Sequence, residues 1–341
     1  MPILPGTALI VVFIVLAAIA RHGRWLPGMG FTFMVFAFGT AAFTFPAWFV
    51  QWGEFELKTA IAPLVQLILF GMGMTLSFGD FQRILKMPRA IFIGAGCQYL
   101  IMPLTALACA SLFGLKGEVA AGLILIGSCP GGVSSNVLAF LARANVPLSV
   151  SMTIVSTLLS PFLTPLAMKV LAGTYVPIEF LPMMLSILSM VIAPLLVGIL
   201  IHCYLPKVAN LSVKVLPGVA MLSICIIIAI TIALSRDDLM KVGIVLLFAS
   251  AVHNAAGYAL GYGAARACRL NRIDSRTVAL EVGIQNGGMA TGLAINVLHS
   301  TQAAMASALF GPWSAITSSA LASWWRRTAD ALPNQPNDHK S

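Results

Sequence analysis

Of the 11 acidic residues in the chain, Glu281 alone falls well inside an apolar stretch, within "LEVGIQNGGMATGLAINV" at residues 280–297. The other ten sit at the ends of apolar runs, in the connections between them or in the tail. A carboxylate near the centre of a bilayer costs at least about 2.5–3.5 kcal/mol. A bound cation, a proton or a basic partner could offset that cost, and no Lys or Arg lies well inside any of the apolar runs to act as that partner. Glu281 is therefore read as a cation ligand, against the alternative of a protonated carboxyl hydrogen-bonded within a helix bundle.

A hard cation such as sodium takes a cage of oxygens, some charged and some neutral. Neutral oxygens are abundant near two glycine pairs. Ser134, Ser135 and Asn136 follow Gly131–Gly132, and Gln285 and Asn286 precede Gly287–Gly288. Ser149, Thr153, Ser156 and Ser160 recur about one helical turn apart and share a face. Ser149 and Thr153, opposite the first glycine pair, are read as ligands. Ser156 and Ser160 are read as packing or back-bonding residues. Gln98 adds a further amide in mid-span. Unwinding at "PGGVSS" and "NGGM" frees carbonyls that suit cations. It also frees N–H groups near Ser134–Asn136 and Gly287–Met289 that suit an anion. Irregular backbone of this kind survives at membrane depth only where it is buried or lines a cavity.

The elements that must position these groups are apolar helices. The chain is 59% hydrophobic and only 9% charged, against about a quarter charged in soluble domains. That composition specifies an all-α polytopic membrane protein and excludes a soluble fold. Runs of about 20 apolar residues predict ten spans near 31–50, 60–78, 89–112, 118–142, 147–171, 183–203, 214–234, 240–265, 274–298 and 302–325. Residues 1–28 are expected to form an extra N-terminal helix and a basic loop, because the run at 3–20 has no basic segment ahead of it as a signal peptide would. Residues 326–341 are expected to be a polar, disordered tail on the cytoplasmic side. Fifteen of the 20 Lys and Arg residues fall on the side that holds the C-terminus, which makes that side cytoplasmic. The scattered charge, net +9, is read as a topology signal and not as a nucleic-acid patch.

Residues 29–325 divide into halves of five spans, about 29–172 and 177–325, with inverted topology. In each half the fourth span carries the glycine pair. Paired, glycine-interrupted segments at matching positions are the best sequence pointer to a transporter binding site. The six cysteines show no ligand spacing and are read as core residues. No catalytic triad, zinc spacing or nucleotide-binding loop is present, so the chain is expected to be no enzyme, and active transport would draw on an ion gradient. His253 and Asn254 are read as packing or hydrogen-bonding residues.

The stretches at 128–166 and 279–294, with "QYLIMPLTA" at 98–106 and "HNAAGY" at 253–258, resemble the bile acid:sodium symporter family over residues 30–325. The resemblance implies a core and a panel domain, with the fourth and ninth helices broken and crossing. It implies two sodium sites, one of Ser135, Asn136, Ser149, Thr153 and Glu281. The other would use Gln98, Glu281 and Gln285 with the carbonyls of Val282 and Ile284. Asn286 would face the substrate, beside Gly132, Val133 and Ser134 and with Gly287 and Gly288. The last span departs from the family, reading Trp313-Ser314-Ala315 where many relatives carry Trp-His-Asn, and "GGVSSN" lacks a Thr that some relatives have. The expected activity is inward symport of a small organic anion with sodium, such as a bile acid-like or pantoate- or ketopantoate-like carboxylate. The expected location is the bacterial inner membrane, where no nucleic acid is involved. A proton-coupled carrier or exporter and a non-transporting sensor of the same fold are the alternatives.

Overall fold

The two apolar runs that carry an interior glycine pair are interrupted there, and most of the others form unbroken helices. The computed structural model describes residues 3–22, 29–212 and 215–330. Helix α1 (Ile3–His22) packs along α2 (Gly30–Thr44), with the Phe13 and Phe36 rings 5.5 Å apart. The predicted span at 31–50 stops early, at Thr44. Pro46 brings no N–H to continue α2, and the chain turns through α3 (Ala47–Val50) into a two-stranded hairpin. Its strands β1 (Gln51–Trp52) and β2 (Phe55–Glu56) pair antiparallel and leave Trp52 and Phe55 exposed.

Helix α4 (Ile61–Thr75) precedes α5 (Phe78–Lys86), whose start is a capping box. Ser77 N–H and its hydroxyl both donate to the Asp80 carboxylate, at 2.8 and 2.7 Å. Helix α6 (Pro88–Leu112) shows how a span is sorted by face. Phe92, Leu100, Leu104 and Leu112, multiples of four residues apart, are all more than half exposed, while Ala95, Gln98, Met102 and Ala106 are buried. An apolar outer face with small and polar residues inside is the pattern of a helix packed in lipid.

The first interrupted span comprises α7 (Gly117–Ser128) and α8 (Ser134–Leu141). Helix α9 (Val146–Ala167) continues through a π turn at Met168–Ala172. Helices α10 (Phe180–Ile187) and α11 (Ala193–Tyr204) form one rod through a second π turn at Leu188–Ile192. The short α12 (Pro206–Ser212) is followed by α13 (Leu216–Leu234) and α14 (Arg236–Ala267). The second interrupted span comprises α15 (Arg272–Gly283) and α16 (Gly287–Asn296), and α17 (Thr301–Asp330) closes the described chain. Among the described residues six helical segments are long and apolar enough to cross a membrane, Leu57–Thr75, Pro88–Leu112, Val146–Ala172, Phe180–Tyr204, Leu216–Leu234 and Arg236–Ala267. The chain is an all-α, multi-pass membrane protein.

The expected polar tail from 326 begins later than predicted, because α17 runs on to Asp330. A cross-helix clamp holds the extension. Arg276 on α15 lies 5.7 Å over the Trp325 ring and reaches Thr328 Oγ1 at 3.4 Å. Residues 331–341, and Arg24, Lys214 and Lys340 of the charge pattern, lie outside the described residues.

A single large core joins α4, α6, α7, α9, α16 and α17 around Leu69, Met102, Ile124, Met152, Met289 and Phe310. Close approach depends on missing side chains where α4 meets α11. A Cβ on Gly198 would overlap Phe70 O and come within 2.8 Å of Met74 N and 2.9 Å of Gly73 Cα. All three are backbone atoms and cannot swing away. Gly198→Ala is expected to lower the thermal-unfolding stability of the detergent-solubilised protein by about 1–3 kcal/mol. Gly263→Ala, with nothing within 4 Å of its Cβ, is expected to leave it unchanged.

Candidate functional site

The two interruptions meet. Cys129, ahead of Pro130, is extended at φ −79° and ψ 159°, as the residue before proline prefers. Ile284 is extended at φ −108° and ψ 117°. The extended pieces run antiparallel, with Gly131 opposite Gln285. Gly132 N–H donates to Ile284 O at 2.9 Å, and Asn286 N–H to Pro130 O at 3.0 Å. Each break thus satisfies part of the other's main chain, which surrounding lipid could not do. Glycine is required here. A Cβ on Gly131 would overlap Glu281 Oε1, and one on Gly132 would lie 2.8 Å from Gln285 O.

Glu281 is fully buried on the last turns of α15 and receives three hydroxyls. Ser135, on the first turn of α8, donates to Oε2 at 2.5 Å. Ser149 and Thr153, one turn apart on α9, donate to Oε2 at 3.1 Å and to Oε1 at 2.6 Å. Among the described residues no Lys, Arg or His forms an ion pair with Glu281. Ser156 and Ser160 instead turn back to their own helix, donating to Thr153 O and Thr157 O.

A second polar layer lies beside the first. Gln98 on α6 donates through Nε2 to Cys129 O at 2.9 Å and to Gln285 Oε1 at 2.8 Å. Both partners are acceptors, so the Gln98 nitrogen must point there, and its buried Oε1 is left without a donor. Asn136 Oδ1, beside Ser135 on α8, is a second buried oxygen without a donor. Buried acceptors are rarely left unpaired, and an ion is one standard explanation. Gln285 Nε2 donates to Val282 O at 2.7 Å, and Ile284 O already accepts from Gly132. Each of those carbonyls keeps a second lone pair.

The residues expected to face an anion are spread around the crossing. Asn286 Oδ1 caps α16 by accepting from Met289 N at 3.0 Å. Gly287 and Gly288 are half-buried, and added Cβ atoms there would meet nothing closer than 3.7 Å. Gly132 is buried, Val133 half-buried and Ser134 exposed.

Asn254, read from the sequence as a packing or hydrogen-bonding residue, supports the break through partners the sequence did not indicate. It lies on α14 and donates to Gly283 O at 2.8 Å, holding the last carbonyl of α15 before the break, and accepts from Thr317 on α17 at 2.7 Å. The polar residue in mid-span was the only signal for it. His253 Nε2 meets Met102 O at 3.0 Å, which ties α14 to α6.

The sequence pattern of the Sodium Bile acid symporter family matches residues 62–242. An uncharacterized sodium-dependent transporter, YocS, of Bacillus subtilis (strain 168) is 35% identical over 310 residues, covering 91% of this chain and 94% of the relative. A probable sodium/metabolite cotransporter, chloroplastic, of Arabidopsis thaliana is 35% identical over 270 residues, covering 79% and 67%. The ileal sodium/bile acid cotransporter of Homo sapiens is 31% identical over 235 residues, covering 67% of each chain.

Asn254→Ala takes the side-chain donor from the buried Gly283 carbonyl and one of several partners from the Thr317 hydroxyl. It is expected to cost about 1–3 kcal/mol of thermal-unfolding stability. Asn254→Asp keeps the volume and the acceptor but loses the donor to Gly283 O, so it is expected to fare no better.

Proposed function

The chain belongs to the sodium bile acid symporter family, and on that premise we propose that it is a sodium-coupled secondary transporter of a small organic anion, not an enzyme. The observation that carries the reading is the fully buried Glu281 carboxylate, ringed by three hydroxyls and facing no cationic side chain among the described residues. Sodium ions are co-substrates in this scheme. One ion is held by Glu281, Ser135, Ser149, Thr153 and Asn136. A second is held by Gln98, Glu281 and Gln285 with the Val282 and Ile284 carbonyls. The orphaned Gln98 and Asn136 oxygens support a guest of positive charge at both places. The donors are one carboxylate and neutral oxygens, with no group of three or more His, Cys, Asp or Glu among the described residues. That set suits a hard, singly charged ion better than a transition metal.

Three neutral hydroxyls lie within hydrogen-bond reach of the carboxylate and can donate to an ionised Glu281, and on this reading the coupled ion is sodium and not a proton. The anion, bile acid-like or pantoate- or ketopantoate-like, binds at the N-terminal turns of α8 and α16 near Asn286, Gly287, Gly288, Gly132, Val133 and Ser134. Helix N-termini and the bound cations both favour its negative charge. Alternating access moves a core carrying the crossing against a panel, through ten spans arranged as inverted repeats at about 29–172 and 177–325. The extra helix α1 packs at the side. The bias of Lys and Arg supports a cytoplasmic C-terminus in a bacterial inner membrane.

The test is uptake of labelled taurocholate and pantoate into proteoliposomes. An inward sodium gradient is expected to raise uptake at least tenfold over choline, and Glu281→Ala is expected to abolish the rise. Uptake that ignores sodium but follows a pH gradient would overturn the coupling assignment.

A further inference from the structure

Outside the crossing, a cavity of about 970 Å³ lies between α14, α15 and α17 and is flanked by three arginines. Arg266 ends α14, and Arg272 and Arg276 stand one turn apart on the first turns of α15. Among the described residues none of the three meets a carboxylate. Arg266 donates to Leu270 O at 2.5 Å, and Arg276 reaches Trp325 O and Thr328 Oγ1 at 3.5 and 3.4 Å. The neighbouring carboxylate, Asp274, is engaged by Asn145 and Asn271 at 2.8 and 2.7 Å. Three guanidinium groups with most of their five donors free thus converge on one concavity without a counter-charge.

The cavity continues into an apolar track. Along α14, Arg266, Tyr262, Ala259, Ala255, Val252 and Phe248 recur at alternating spacings of four and three, which places them on one face. Ala259, Ala255, Val252 and Phe248 are all exposed. From Tyr262 to Val252 the track runs about 15 Å, the depth of one leaflet. Trp324, 58% exposed, and Trp325 stand beside the arginine end, where aromatic rings mark the membrane interface. A cationic mouth, an interfacial aromatic rim and an apolar track of leaflet depth match one amphiphile in all three parts.

We propose that this cavity binds an anionic phospholipid, with its phosphate on Arg266, Arg272 and Arg276 and an acyl chain along Ala259, Ala255 and Val252. A soluble anion would use the mouth and leave the track bare. The bound lipid would fasten the first turns of α15, the half-helix that carries Glu281, to the bilayer surface. Tyr258 sits deeper in the same cavity and meets Thr317 at 3.3 Å, and Thr317 is the partner of Asn254 at the break.

Native mass spectrometry of the purified full chain, titrated with dioleoyl-phosphatidylglycerol or dioleoyl-phosphatidylcholine, tests the site. Retention of phosphatidylglycerol at least tenfold tighter than phosphatidylcholine is expected. Arg272→Gln with Arg276→Gln should remove most of that preference. Arg326→Gln with Arg327→Gln, which takes the same charge from exposed positions outside the cavity, should keep it. Ala259→Phe fills the track from an exposed face and should weaken retention of both lipids. Equal retention of the two lipids, or equal losses from the two arginine pairs, would overturn the proposal. So would unchanged binding in Ala259→Phe, whatever the folding of the arginine variants. Competition by glycerol phosphate at the lipid's own concentration would replace the lipid with a soluble anion.

Discussion

Two main-chain hydrogen bonds, Gly132 N–H to Ile284 O and Asn286 N–H to Pro130 O, set the terms for the rest of the bundle. A helix opened at membrane depth exposes carbonyls and amides that lipid cannot satisfy. One opened helix alone would be a liability. Two opened at the same depth can satisfy each other while leaving a few oxygens over. The flanking half-helices must then stop within a residue or two of the crossing, and Pro130 at one side and the Asn286 cap at the other make them do so. The glycines follow from the same constraint, because the crossing strands press against the Glu281 side chain and the Gln285 carbonyl. Helix α9 must bring its small hydroxyl face to the crossing, since a larger residue at Ser149 or Thr153 would hold the carboxylate away.

The parts of this arrangement that were legible in the sequence are those in which one residue type has few physical explanations. A carboxylate in mid-span has three, and the absence of basic residues from the spans removes one. Ser149 and Thr153 were legible because helical spacing converts sequence position into a shared face. What stayed hidden depends on partners far apart in sequence. Asn254 holds a carbonyl 29 residues on and meets a hydroxyl 63 residues on, and no periodic pattern encodes either. The end of α17 was misplaced for a related reason. Its last turns read as polar tail, but Arg276 from another helix covers them. The early end of α2 was written locally, in Pro46, yet the apolar residues around it continued the pattern of a span.

The electrostatic balance divides the protein into two zones. In mid-bundle one buried carboxylate meets neutral hydroxyl donors and no cationic side chain among the described residues. At the arginine-rich end, cationic groups converge with no carboxylate paired to them among the described residues. Helix α15 connects the zones, with Arg272 and Arg276 at one end and Glu281 near the other. Its length sets the distance between the guanidinium end and the carboxylate end, about 14 Å from residue 272 to residue 281 at the helical rise.

The overlap between a side chain at position 131 and the Glu281 carboxylate also couples two positions that lie 150 residues apart in sequence. A methyl at 131 would meet Glu281 Oε1, Cδ and Cγ, so the acid would have to turn away from the hydroxyls that ring it. A shorter side chain at 281 would give that methyl room, so the cost of either change depends on whether the other has been made first.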